Sequence, residues 1–193
     1  MKKLKIDFNA PVILGFTGIS LVVLILYSLI GDGVLRTFGI RFTGWLDLRM
    51  YLRMFGHIFA HAGLAHFTGN FMLILAVGPM VEEKYGSRRL AMMMAVTALV
   101  TGLINVIFFK NVLLVGASGV VFMLILLASF VNIREGKFPL TVLLVAVLFI
   151  GNEIVTGVLR TDTISQMGHI IGGLCGGGFG FAIYGDKMAR RKP

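Results

Sequence analysis

Six stretches of this chain run without a single charged residue for the length of a helix or more. They are 12–31, 54–81, 90–109, 111–133, 138–152 and 163–185. A helix needs about 20 apolar residues to cross the hydrocarbon of a bilayer. Five of the six runs reach that length. The fifth is cut by Glu153, but Ile154 to Val158 extend it. The second run is longer than a crossing needs, and its first ten residues are expected at the interface. The spans are therefore placed at about 12–31, 64–81, 90–109, 115–133, 138–158 and 164–185. Composition excludes a soluble alternative: 57% of the residues are hydrophobic and only 14% charged, against about 25% charged in a soluble domain. The sequence predicts an all-α polytopic membrane protein of six transmembrane helices, one domain over residues 1–193.

The net charge of +9 would suggest nucleic acid in a soluble protein. Here the charges sit in short clusters between apolar runs, so they report topology. The expected partner is the bilayer, with no nucleic acid. The N-tail, the segments 82–89 and 134–137 and the C-tail together hold 12 Lys and Arg, and the alternate connections hold six. That excess predicts both termini in the cytoplasm. Lys2, Lys3 and Lys5 before an apolar run superficially resemble a signal peptide. The run is longer than the 7–15 residues of a cleavable core and no A-x-A site follows, so an uncleaved first span is expected. Residues 32–60 form the one long connection, in which apolar residues alternate irregularly with arginines. It is expected to lie in the outer headgroup region with Trp45 as anchor. Cys175 is the only cysteine, so no intrachain disulfide can form.

Polar groups inside spans are costly and become functional candidates by default. His66 and Asn70 in the second span, Ser118 in the fourth and His169 in the sixth all fall within the first two turns of their helices. The charge-derived topology starts those three helices at the outer face, so the four residues share one membrane level. Ser118 lies in Gly116-Ala117-Ser118-Gly119, whose small neighbours leave its hydroxyl uncovered, beside the free N–H groups of a helix start. Taken alone, a serine in a span usually bonds the carbonyl four residues back, and a lone histidine is usually a packing residue. Together they form a plausible dyad, since serine needs a base and imidazole titrates near neutrality. His66 and Asn70, four apart, share one helix face. Their N–H groups and the Ser118 amide could serve a developing oxyanion. The bland alternative for that pair is an interhelical hydrogen bond. The sixth span carries Gly172, Gly173, Gly176, Gly177, Gly178 and Gly180, which calls for a close helix–helix contact. An intramolecular contact is preferred to a dimer face because the glycines begin beside His169.

This set of residues resembles the rhomboid intramembrane serine proteases over roughly residues 10–185. The family's G-x-S-G stands as Gly116 to Gly119, its H-x-x-x-N as His66 to Asn70, and its H-x-x-G-x-x-x-G as His169 to Gly176. Val81 to Ser87 looks like its E-x-x-x-G segment. The resemblance implies a six-helix bundle around a water-accessible cavity open to the outer side. Carried over, Ser118 is the nucleophile, His169 the base and then the acid, and His66, Asn70 and the Ser118 amide the oxyanion donors. Gly116, Gly119, Gly172 and Gly176 support them. The implied reaction is hydrolysis of peptide bonds in or near transmembrane segments of other proteins, without a cofactor. The absence of added soluble domains fits a prokaryotic plasma membrane.

Two positions depart from the family pattern. The tyrosine common one turn after the serine is Phe122, which keeps a stacking ring but loses the hydroxyl. The Trp-Arg pair of the first loop reads Leu52-Arg53. His57 and His61 have the i, i+4 spacing of a zinc pair, but no H-E-x-x-H is present and Asp47 is the nearest acid. Structural hydrogen bonding is the expected role, with no metal. Glu153 is expected to pair with Arg160 or reach the interface. Two rival functions remain: a catalytically dead relative that retains membrane clients, and a small transporter. The second would need polar groups spread through the membrane depth.

Overall fold

A computed structural model describes residues 8–131 and 163–189, together with Leu140, Leu143, Leu144, Val147 and Leu148. Seven α-helices occur among them: α1 (Pro11–Ile30), α2 (Asp32–Phe38), α3 (Leu48–Gly56), α4 (Leu64–Tyr85), α5 (Ser87–Phe108), α6 (Ser118–Ser129) and α7 (Thr163–Ala189). A 3-10 turn, His57–Phe59, follows α3. The only strand-like pairing among the described residues is one antiparallel bridge, Ile40 with Leu114.

Helices α1, α4, α5 and α7 are long and apolar enough to cross a membrane. Their bounds fall within a few residues of the placed spans, and α4, α5 and α7 each continue past the apolar run into charged residues, such as Glu82 to Lys84 in α4 and Arg88 and Arg89 in α5. The predicted fifth span, 138–158, lies outside the described residues apart from the five named above. The fourth is shorter than the run that predicted it, since α6 has 12 residues, about 18 Å of helix. It starts at Ser118 rather than near 115 because Gly116 takes φ +116°, which an α-helix cannot continue.

The connection 32–60 contains two short helices that its irregular apolar spacing did not announce. Asp47 caps α3, its Oδ1 accepting from the Arg49 amide at 3.0 Å. Met50 and Met54, one turn apart, are buried with Ile40 and Val106. On the other side Leu48 and Leu52 stay exposed, as suits an element lying on lipid. Trp45 is half exposed and meets Phe42 edge to face at 5.2 Å.

Helix α6 is the centre of the bundle. Val120, Val121, Met123, Leu124 and Leu127 are buried among side chains of α1, α4 and α5. Helix α7 crosses it at backbone contact: a Cβ at Gly172 would overlap the Gly119 carbonyl, and one at Gly176 the Met123 carbonyl. The intramolecular partner expected for the glycine-rich helix is thus α6. The start of α1 is pinned to the end of α4. Glu82, buried, accepts from the Val12 and Ile13 amides at 3.0 Å each. Those are free amides at a helix start, where an anion is favoured. Pro11 precedes them at the position where a missing N–H costs nothing.

Candidate active site

The first residue of α6 is Ser118, so no carbonyl of its own helix lies four residues before it. That separates it from Thr17, Ser28, Thr97 and Ser129, each bonded to the carbonyl one turn back. The loop that delivers Ser118 is held from several sides. Ile40 and Leu114 exchange backbone bonds of 3.0 and 2.8 Å. The Asn105 amide of α5 donates to the carbonyls of Ile40 and Val112 at 3.2 and 3.1 Å. The Gly116 amide donates to the His57 carbonyl at 2.9 Å. The Ala117 amide donates to His61 Nε2 at 3.2 Å.

That last bond fixes the His61 tautomer. Nε2 accepts, so Nδ1 carries the proton and donates to the Phe59 carbonyl at 3.3 Å. His57 is also buried, its Nε2 against the Ala98 carbonyl at 3.1 Å. Burial pulls both imidazoles from an ordinary 6.5 to about 4, partly offset at His57 by the Ala98 carbonyl; His66 beside His61 adds to its shift. His57 Nε2 and both nitrogens of His61 meet backbone groups, the structural hydrogen bonding expected of the pair, while His57 Nδ1 is buried without a partner among the described residues.

His66 and Asn70 stand in front of this loop. A Cβ on Gly116 would lie 2.6 Å from His66 Nε2 and 3.8 Å from Asn70 Nδ2, so glycine is required there on two counts. The Asn70 amide nitrogen is buried with no hydrogen-bond partner among the described residues. His66 packs on His61 edge to face at 5.0 Å. From the other side α7 brings His169, whose ring meets Phe122 at 4.4 Å and 40°. The Gly168 carbonyl lies 3.4 Å from a Cβ built at Gly119. His66, Asn70, Ser118, Phe122 and His169 thus gather where α4, α6 and α7 begin. Chemically, the cluster holds a hydroxyl at a helix start, an imidazole on the neighbouring helix, and, in Asn70 Nδ2, a donor with no acceptor among the described residues.

The family model described as Rhomboid domain matches residues 48–186. This chain belongs to the rhomboid family. It is 31% identical over 121 residues to rhomboid protease GlpG of Serratia proteamaculans (strain 568), covering 59% of this chain and 41% of that protein. It is 29% identical over 162 residues to rhomboid protease GluP of Bacillus subtilis (strain 168), covering 80% and 30%. With rhomboid-related protein 2 of Mus musculus it shares 27% identity over 155 residues, 73% of this chain and 51% of the relative. The chain spans about half or less of the length of these relatives. A rhomboid with these helices is an integral membrane protein.

Both departures from the rhomboid pattern have a place in this structure. Phe122 keeps the ring against His169. Arg53 donates from Nε to the Thr37 carbonyl at 3.2 Å, tying α3 to α2, while Leu52 is exposed. Asn105 was not singled out from the sequence, although a polar side chain deep in an apolar run was the available signal. The His57 carbonyl had no signal, since any residue could present one. Glu153 and Arg160 lie outside the described residues.

Proposed function

We propose that this rhomboid is an intramembrane serine endopeptidase. The observation that carries the reading is the Asn70 amide nitrogen, buried beside His66 in front of the Ser118 loop with no partner among the described residues. A buried donor left without an acceptor costs about 1–3 kcal/mol, and such a cost is retained where charge develops during a reaction. Membership of a family that includes named proteases supports it.

In the proposed reaction Ser118 Oγ attacks the carbonyl carbon of a peptide bond and His169 takes its proton. The oxygen, now negative, receives N–H donors from His66, Asn70 and the Ser118 amide. His169 then protonates the departing amine as the C–N bond breaks, leaving an ester on Ser118. Water attacks the ester, giving its proton to His169, which passes it to Ser118 Oγ as the ester C–O bond breaks and the acid is released. Phe122 orients the imidazole. A transmembrane protein is the substrate, cut where its helix unwinds, because a hydrogen-bonded helix hides its carbonyls. With both termini cytoplasmic, the site opens to the extracytoplasmic side.

The purified protein should label with a fluorophosphonate and cleave a single-span substrate, and Ser118→Ala and His169→Ala should do neither. Asn70→Ala should lower kcat by roughly 10²–10³ with little change in KM, the usual loss for one oxyanion donor. Wild type that neither labels nor cleaves sinks the reading, and unchanged kcat in Asn70→Ala removes that residue from it.

A further inference from the structure

Away from the site, α1, α3 and α5 leave a groove of about 370 Å³ between them. It exists because the facing residues are small: Gly15 on α1 opposes Ala91, Ala95 and Ala98, one stripe along α5. Every described side chain lining it is apolar. Whatever enters must therefore be hydrocarbon, since a polar group there would find no partner. An acyl chain, hydrocarbon along its whole length, meets that requirement.

The charge at one end specifies the headgroup. Arg88 is exposed three residues before Ala91, on the same face of α5, with Arg89 next to it. Both stand in the first turn of α5, which contains no acidic residue. Cations at a helix start oppose its dipole, so an anion is doubly favoured there. The nearby Glu82 is taken by the α1 amides, and Glu83 is exposed at the end of α4.

The other end of the groove reaches the nucleophile loop. Ile58 and Phe59 form its wall, between His57, whose carbonyl holds Gly116, and His61, which holds Ala117 and bonds the Phe59 carbonyl. We propose that the α1–α5 groove takes one acyl chain of an anionic phospholipid, headgroup at Arg88 and Arg89, and that this chain braces the 57–61 segment behind Ser118. The bracing half rests on the catalytic reading above; the binding half does not.

The test incubates the purified full chain with phosphatidylglycerol and phosphatidylcholine and counts retained lipids by native mass spectrometry. Wild type should retain phosphatidylglycerol preferentially. Arg88→Gln and Arg89→Gln should each weaken that preference about fivefold. Ala95→Trp, which fills the groove, should abolish retention, with Ile19→Trp as the second filling variant should the first not fold. Equal retention of both lipids, or a filled groove that binds like wild type, overturns the proposal. For the bracing half, fluorophosphonate labelling of Ser118 is timed in phosphatidylcholine vesicles with and without phosphatidylglycerol. Wild type should label several-fold faster with the anionic lipid and Ala95→Trp equally in both. Equal wild-type rates overturn bracing. No labelling in any vesicle instead defeats the catalytic reading and leaves the lipid counts standing.

Discussion

Gly116 combines two constraints that no side chain satisfies together. Its φ of +116° costs other residues about 1–3 kcal/mol, and a Cβ would meet His66 Nε2 at 2.6 Å. Gly116→Ala should lower the melting temperature in detergent and displace His66, abolishing labelling at temperatures where the variant is still folded. His61 makes a pH prediction. Its value in the folded chain, about 4, lies below the ordinary 6.5, as does that of His57. The unfolded chain therefore binds protons between those values that the folded chain refuses. Stability should be flat above about pH 6.5 and decline as pH falls toward 4. Below that, protonated Nε2 no longer accepts from Ala117. His61→Gln removes one titrating group, so melting temperature against pH should slope less steeply over the same interval. An unchanged slope would show that His61 is not the group that titrates.

Among elements, the α6–α7 crossing sets the tightest tolerance. Gly172→Leu would drive carbon into the Gly119 backbone, which cannot rotate away as a side chain can. A destabilisation of about 3 kcal/mol or more is expected, read from thermal unfolding, whereas Gly177→Ala, which meets nothing within 4 Å, should be near neutral. Helix positions were legible in the sequence because the bilayer core tolerates so little charge, though the helices α4, α5 and α7 run a few residues past it. The start of α6 was not, because the conformation of Gly116 leaves no mark on hydropathy. Helices α2 and α3 were hidden for another reason: each buries only one adjacent or one-turn pair, Val34 with Leu35 and Met50 with Met54, too few to show a helical period. The four polar candidates were legible as a group because spans tolerate so few. The tethers behind Ser118 were not, being mostly main-chain groups.

For the whole molecule, the arrangement of basic residues predicts both termini in the cytoplasm. A reporter fused to either end should be active only on that side, and one placed after Lys110 only on the other. Matching signals from Lys110 and the C-terminus would require a different topology. The helix arrangement agrees with an alternating thread in one respect: α4, α6 and α7 begin together, while α1 begins where α4 ends.

The tethers of the Ser118 loop all come from residues 40 to 105, upstream of the serine, and His169 arrives only with α7. A growing chain therefore seats its hydroxyl before the imidazole exists. On the proposed assignment, a chain whose α7 is not yet in place is harmless to its neighbours, and docking of α7 is also the moment of activation.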